Sequence, residues 1–132
     1  MRLFRNEDIS LLFMIELARS YGSGFISLTD IGNKHGISIF FLKKLVRTLK
    51  SHNLVQSKEG IGGGYKLVKS PQEVNLWQVI NAFSQMEAKQ NMLKVCPVHS
   101  NCLPQKIHTI IDNALEKSLS SITLKYLMYD NQ

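Results

Sequence analysis

Two cysteines, Cys96 and Cys102, are the side chains best suited to covalent or metal chemistry in this chain of 132 residues. A thiolate is a nucleophile and a strong ligand for soft metals, so the two could act as metal ligands or as a redox pair. They are too few for the disulfide framework of a small secreted domain, and ordinary free thiols are the third interpretation. Residues 84–102 around them are polar and weakly patterned, which is typical of a loop kept for function.

A second chemistry is indicated by the positive charge of residues 31–58. The formal net charge is +6, and this segment holds six basic and no acidic residues, whereas the rest of the chain holds ten of each. The basic residues are Lys34, Lys43, Lys44, Arg47, Lys50 and Lys58. A solvated basic face usually interleaves acidic side chains, so an acid-free one favours a polyanion such as DNA as the partner.

The elements that carry this charge follow from the apolar spacing. Ile9 to Ala18 predicts a buried first helix, which the glycines at 22 and 24 end. Ser27 to Asp30 resembles a capping box and begins a second helix that runs to Gly36. Gly36, Ile37 and Ser38 then supply a turn and a new N-cap. The spacing therefore predicts a helix-turn-helix.

The third helix, from Ile39 to about Ser51, separates its residues into two faces. Its apolar stripe is Ile39, Leu42, Leu45, Val46 and Leu49, and its opposite face is Phe40, Lys44, Arg47 and Ser51, flanked by Lys43 and Lys50. Phe40 is the exception on the charged face, because a large aromatic ring is costly to leave in water. A thymine methyl group or a sugar edge would cover it.

A glycine-rich hairpin follows this helix. Residues 54–58 and 65–68 are β-prone runs joined by Glu59-Gly-Ile-Gly-Gly-Gly64, which predicts two strands and a flexible tip. The glycines do not form a phosphate-binding loop, because such loops lead into a helix. A helix-turn-helix followed by a hairpin is a winged helix, so the fold class is mainly α with a small β-hairpin wing (α+β).

Two further helices are predicted. Residues 74–83 form an apolar helix that contains Trp77, and a long helix runs from Pro104 to about Ser121. The long helix carries more apolar surface than one small domain covers, so a second copy of the chain is the expected partner, and folding back onto its own domain is the alternative. The expected organisation is a DNA-binding domain at 1–83, a cysteine-containing sensor loop at 84–102, and a dimerisation helix with a C-terminal tail at 103–132.

Composition and motifs exclude several classes of function. The chain is 44% hydrophobic, enough for one modest core, and no run approaches the roughly 20 apolar residues of a membrane span. It is expected to be cytoplasmic. No Gly-x-Ser-x-Gly, His-Glu-x-x-His or Cys-x-x-Cys motif occurs, so an enzyme is not expected. A winged helix used as a protein-interaction module is the rival interpretation, and a redox enzyme is a remote third.

The motifs together resemble the Rrf family of winged-helix transcription regulators, which includes IscR- and NsrR-like proteins. The resemblance spans almost the whole chain, and Gly-Gly-Gly-Tyr in a wing after this helix pair is its most specific part. The matching motifs are Met1-Arg-Leu3, Gly36-Ile-Ser38, Leu54-Val55, Gly62-Gly-Gly-Tyr65, the Cys96–Cys102 loop and Ile122-Thr-Leu124. The resemblance implies a homodimer, held by the long helix, that represses or activates genes at a palindromic site in double-stranded DNA.

Candidate DNA-binding residues follow from the resemblance, the basic face and the wing. They are Ser38, Phe40, Phe41, Lys43, Lys44, Arg47, Lys50, Lys58, Gly62 and Gly63. Phe41 lies at the boundary of the apolar stripe and is equally suited to the core. IscR-like members carry polar or acidic side chains where this chain has Phe40, Lys43 and Lys44. The operator sequence of this protein is therefore expected to differ from theirs. IscR-like members also carry a wing arginine where this chain has Glu59. The phosphates of a narrow minor groove would repel this carboxylate, so insertion of the wing into that groove is disfavoured in this chain.

The resemblance also implies a candidate [2Fe–2S] cluster. Cluster-bearing members use three cysteines, of which Cys96 and Cys102 match the second and third, whereas the first falls near residue 90 or 91 and is absent. The IscR-type histidine ligand falls at Gln105, but Asp8 matches the aspartate ligand of NsrR-like sensors.

His99 lies inside the loop and could substitute for the missing thiolate. Cys96, Cys102, His99 and Asp8 would then give iron its four ligands. A zinc site, a dithiol switch and a cluster-free regulator that senses another signal are the alternatives.

Overall fold

Six helices and one hairpin make up the computed structural model, which describes residues 5–83 and 103–130. In chain order the elements are α1 (Arg5–Arg19), α2 (Leu28–His35), α3 (Ile39–Ser51), β1 (Val55–Lys58), β2 (Gly64–Leu67), α4 (helical at residues 76–83), α5 (Leu103–Leu119) and α6 (Leu124–Asp130). The predicted winged helix-turn-helix is confirmed. Cys96, His99 and Cys102 lie outside the described residues, so the sensor loop stays a prediction.

The turn between α2 and α3 forms as the sequence predicts. The Ser27 hydroxyl accepts a hydrogen bond from the Asp30 N–H at 3.1 Å and caps α2. Gly36 ends α2 in the left-handed conformation, and the Ile37 N–H donates to the Gly32 carbonyl at 2.9 Å. Ser38 occupies the N-cap position of α3, but its hydroxyl makes no capping hydrogen bond. The chain therefore enters α3 through a turn fixed by α2.

The core lies between α1 and α3. Phe13 and Met14 of α1 are fully buried, as are Leu42 and Leu49 of α3. Burying such side chains contributes about 1.5–3 kcal/mol each, so the core fixes the rotation of α3 about its own axis. The predicted apolar stripe is confirmed at four positions, whereas Ile39 is only partly buried.

The wing, defined here as residues 55–67, is held against the rest of the domain through Tyr65. Its two strands pair antiparallel, with Val55 opposite Leu67. Tyr65 and Ile26 exchange backbone hydrogen bonds of 2.8 and 2.9 Å, which form an isolated antiparallel bridge beside the hairpin. The Tyr65 ring also meets the Phe13 ring edge-on, with the ring centroids 6.4 Å apart. The wing is therefore fixed relative to α1.

The C-terminal residues return to the N-terminal unit after α5. The Leu124 N–H donates to the Val74 carbonyl at 2.9 Å, and the Leu76 N–H donates to the Ile122 carbonyl at 2.8 Å. Leu124 is fully buried, and α6 packs against α1. The sequence pattern predicted only a C-terminal tail here, so α6 was not expected. Among the described helices, none combines the length and the hydropathy needed to cross a membrane.

A buried carboxylate connects α1 to α2. Glu16 of α1 lies 3.0 Å from the ammonium of Lys34, 3.1 Å from the imidazole of His35 and 3.2 Å from the guanidinium of Arg19. Burial alone would raise the pKa of the Glu16 carboxyl, but hydrogen bonds and charges from Lys34 and His35 outweigh it and lower that pKa below its ordinary value. The carboxylate is therefore ionised at neutral pH and stabilises the position of α2.

Replacing Glu16 with Gln should lower the free energy of unfolding by about 1 kcal/mol at pH 7, because the uncharged amide loses the attraction of the cations Lys34 and Arg19. Because folding lowers the pKa of the Glu16 carboxyl, the ionised group stabilises the fold at pH values above its ordinary pKa of 4.5, and this stabilisation is lost as the pH falls through the lowered pKa. The difference in the free energy of unfolding between the native protein and Glu16→Gln should therefore narrow below about pH 4.5. Urea unfolding at fixed protein concentration measures it. The exposed Glu59→Gln control should show no difference, and a Glu16→Gln defect independent of pH would contradict this account.

Candidate nucleic-acid interface

The outward face of α3 is basic and carries one exposed aromatic ring. Lys43, Lys44 and Arg47 are exposed, and Phe40 is 83% exposed. These residues lie opposite the buried stripe, because about 3.6 residues make one helical turn. None of the three cations contacts a carboxylate within 4.0 Å among the described residues. Their charge is therefore available to phosphates.

Two of the predicted interface residues at the start of α3 differ in exposure. Ser38 is exposed at the helix N-terminus, where backbone N–H groups and a hydroxyl suit a phosphate. Phe41 is half-buried and packs against the core. Its spacing in the sequence suited either the core or the DNA-binding face. The structure favours packing against the core over a contact between the Phe41 ring and DNA.

Not all of the charge in residues 31–58 is free. Lys34 is paired with Glu16 across 18 positions of sequence, and it belongs to α2 rather than to the outward face of α3. The Lys50 ammonium donates a hydrogen bond of 2.7 Å to the hydroxyl of Ser57 in β1. Lys50 therefore links the end of α3 to the wing, so it positions the wing in addition to carrying charge. Neither contact could be inferred from helical spacing.

An aromatic ring supports the basic side of the wing. Phe25 directly precedes Ile26, which forms the isolated bridge to Tyr65. The Phe25 ring centroid lies 4.7 Å from the ammonium of Lys66 and 5.9 Å from that of Lys58. Cations over an aromatic face are attracted by its quadrupole. Phe25 and Lys66 were missed by the sequence analysis, because nothing in their spacing relates them to each other. Lys66, supported by the Phe25 ring, adds positive charge to the wing.

The two wing glycines predicted to contact DNA also have a structural role. A Cβ atom at Gly63 would lie 2.2 Å from the carbonyl oxygen of Lys58, so no side chain fits there. Gly62 has a φ of 75°, which disfavours residues with a side chain. Glycine is thus required by the turn itself. Contact of Gly62 and Gly63 with DNA stays a prediction.

Of the predicted metal ligands, only Asp8 falls within the described residues. Its carboxylate is exposed in the first turn of α1. Within residues 5–83 and 103–130, no group of three or more His, Cys, Asp and Glu side chains is close enough to hold a metal ion. A metal centre that includes Cys96, His99 and Cys102 therefore stays a prediction, and Asp8, the one predicted ligand among the described residues, is exposed.

A helix-turn-helix with a basic outward face, followed by a wing with basic side chains, defines a winged-helix DNA-binding protein. A family model described as "Rrf2: Iron-dependent Transcriptional regulator" matches residues 5–130. The chain belongs to this Rrf2 family and is a DNA-binding transcription regulator. The rival interpretation, a winged helix used as a protein-interaction module, is the weaker one because the related proteins are transcription regulators.

Individual relatives agree with the family assignment. The chain is 29% identical over 134 aligned residues to the HTH-type transcriptional regulator IscR of Aliivibrio salmonicida, covering 100% of this chain and 80% of that protein. It is 28% identical to Protein rrf2 of Nitratidesulfovibrio vulgaris, covering 98% of this chain and 89% of that protein. Among solved structures, CymR, the global cysteine regulator of B. subtilis, matches with a TM-score of 0.73 at 28% identity, covering 97% and 96% of the two chains.

Replacing Lys44 or Arg47 with Ala should weaken DNA binding, because each exposed cation is free to neutralise a phosphate. Each substitution should reduce the slope of log K against log salt by about one unit for each bound copy of the chain. Fluorescence anisotropy of a labelled duplex over a salt series measures this slope. Lys34→Gln is the matched control, since Lys34 comes from the same basic segment but is paired with Glu16. Equal slopes for the native protein and both α3 variants would contradict the assignment of this face.

Proposed function

We propose that the protein acts as a homodimer that binds a palindromic operator, with α3 of each copy in one of two successive major grooves. The observation that carries this proposal is the exposed apolar stripe of α5. Leu103, Ile107, Ile110 and Ile111 are exposed, and α5 buries none of its residues within the chain. A stripe of this kind is usually covered by a partner, and a second copy presents the same stripe to it.

The shape of α3 suits the major groove. Its 13 residues span about 20 Å, and the groove of B-DNA is roughly 12 Å wide, so the first turns of the helix reach base edges while later residues reach phosphates. Phe40 lies in the first turn and supplies an apolar contact for a thymine methyl group. Lys43 and Lys44 supply donors for guanine or for phosphate oxygens. Phe40 would then contribute sequence specificity, whereas the cations would contribute affinity through phosphates and add specificity only where they reach guanine.

Replacing Ile110 or Ala114 with Asp should convert the dimer to a monomer, because a carboxylate on the apolar stripe would be buried unpaired. Specific affinity should fall at least about 100-fold, since a monomer loses the effective concentration that couples two half-sites. Selection from a random duplex pool by the native protein supplies the operator, and sedimentation measures the oligomeric state.

Thr109→Asp is the control for this experiment, because Thr109 is exposed on the opposite side of α5. It should leave both the dimer and its affinity unchanged. A native protein that sediments as a monomer and still selects a palindrome would contradict the role of α5.

We further propose that Cys96 and Cys102, with Asp8 and His99, hold a [2Fe–2S] cluster through which the protein senses redox state, nitric oxide or iron–sulfur supply. Two thiolates, an imidazole and a carboxylate provide the four donors that such a cluster takes. The exposed carboxylate of Asp8 supports this, as does the iron dependence in the description of the family. A bound cluster would supply a reversible one-electron couple, and Asp8 would connect its state to α1.

Anaerobic reconstitution with iron and sulfide should give about two irons per protomer and visible absorption bands. Ser at Cys96 or Cys102 should abolish the bands, because a thiolate bond is lost, whereas Asp8→Ala should leave a more labile cluster. Asp30→Ala is the control for Asp8, since Asp30 is an exposed carboxylate in the first turn of another helix. If the protein stays colourless and binds its operator equally under oxidising and reducing conditions, the proposed cluster is wrong, and the protein is a regulator without a cluster.

A further inference from the structure

The end of the wing presents a single side chain. Residues 60–64 are Gly-Ile-Gly-Gly-Gly, so Ile61 is the only residue among them with more than a hydrogen atom as its side chain. Ile61 is fully exposed, more so than any other large hydrophobic residue among those described. The candidate DNA-binding residues of the wing did not include it, because an exposed isoleucine in a loop has no pattern that distinguishes it.

A defined turn holds this isoleucine outward. The Gly63 N–H donates to the Gly60 carbonyl at 3.1 Å, which makes Ile61 and Gly62 the two central residues of a four-residue turn. The φ of 75° at Gly62 matches the third position of a type II turn. Such a turn fixes the backbone of Ile61 and directs its side chain away from the strands. Ile61 is thus presented by a closed turn rather than by a chain without fixed conformation.

The surroundings of this turn match a narrow, negatively charged groove. The glycines leave the tip little wider than the backbone, and the minor groove is only about 6 Å wide. Behind the tip, Lys58 and Lys66 lie over the ring of Phe25, and their positive charge would attract the phosphates that border such a groove. Glu59 opposes deep insertion of the wing by its charge, and Lys58 and Lys66 offset it with two positive charges on the same hairpin. The part of the tip suited to a groove contact is therefore the exposed apolar side chain of Ile61.

We propose that Ile61 contacts the minor groove beside each half-site and disfavours a G·C pair at that position. The minor-groove edge of a G·C pair carries the guanine N2 amino group, a donor that an A·T pair lacks. An isoleucine packed over this amino group would remove it from water without offering an acceptor. Minor-groove proteins do place apolar side chains, including isoleucine, against base steps in this groove. The inference rests on the proposed binding of an operator by α3 and adds a second point of sequence recognition.

Base analogues separate this contact from recognition in the major groove. The probes are duplexes of the selected operator in which the pairs flanking each half-site are changed, one position at a time, to A·T, G·C or inosine·C. Inosine lacks the N2 amino group but keeps the major-groove edge of guanine. At the position beneath the wing, the native protein should bind A·T and inosine·C duplexes about tenfold more tightly than the G·C duplex.

Ile61→Ala should reduce this preference to about twofold or less, with the salt slope unchanged, because no cation is removed. Val68→Ala is the matched control, since Val68 is also an exposed branched residue beside the wing and should retain the full preference. Equal binding of G·C and inosine·C duplexes would overturn the inference. So would a preference that persists in Ile61→Ala, because it would then arise from groove shape. If the native protein selects no operator, the proposed function fails and the inference fails with it.

Discussion

Burial of the apolar stripe of α3 is the constraint on which the rest of the structure depends. Leu42, Leu45, Val46 and Leu49 are buried, and each contributes about 1.5–3 kcal/mol. Turning the helix by one residue, about 100°, would expose part of this stripe and bury a lysine. The rotation of α3 is thus set by the core. The cations and Phe40 face outward because the leucines face inward, and the binding surface needs no separate interaction to hold its orientation.

The wing has its own set of constraints, and they connect it to the same core. Tyr65 pairs with Ile26 and meets Phe13 at its ring edge, while Lys50 bonds to Ser57 from the end of α3. These contacts hold α3 and the hairpin in fixed positions relative to each other. A protein that contacts two grooves gains affinity when both elements are already in position, because less conformational entropy is lost on binding. The exposed Ile61 then lies at the end of a supported hairpin.

The α5 helix stands outside this arrangement, since none of its residues is buried within the chain. The segments on either side of α5 in the sequence connect it to the rest of the protein. Residues 84–102, with both cysteines, connect α4 to α5, and α6 returns to pack on α1. A change of state in the proposed sensor segment would therefore act next to the proposed dimer helix. The distance between the two α3 helices of a dimer is the quantity that such a change would alter.

The sequence by itself determined the elements whose causes are local. Apolar spacing predicted α1, α3 and α5 to within a few residues, the Ser27 cap and Gly36 fixed α2, and the glycine tip located the wing. The faces of α3 also followed from sequence, because side-chain direction in a helix depends only on position. Resemblance to the family then supplied the class of protein.

Only the tertiary structure decided the contacts between distant residues. Glu16 neutralises Lys34, Phe25 supports Lys66, and Lys50 bonds to Ser57, although no spacing rule relates these pairs. The short α6 was missed because its seven residues carry a weak pattern and are stabilised by packing on α1 rather than by propensity. Local causes act within a few residues and leave a pattern in the sequence. Long-range contacts depend on how the elements pack, and a single sequence does not contain that arrangement in any local pattern.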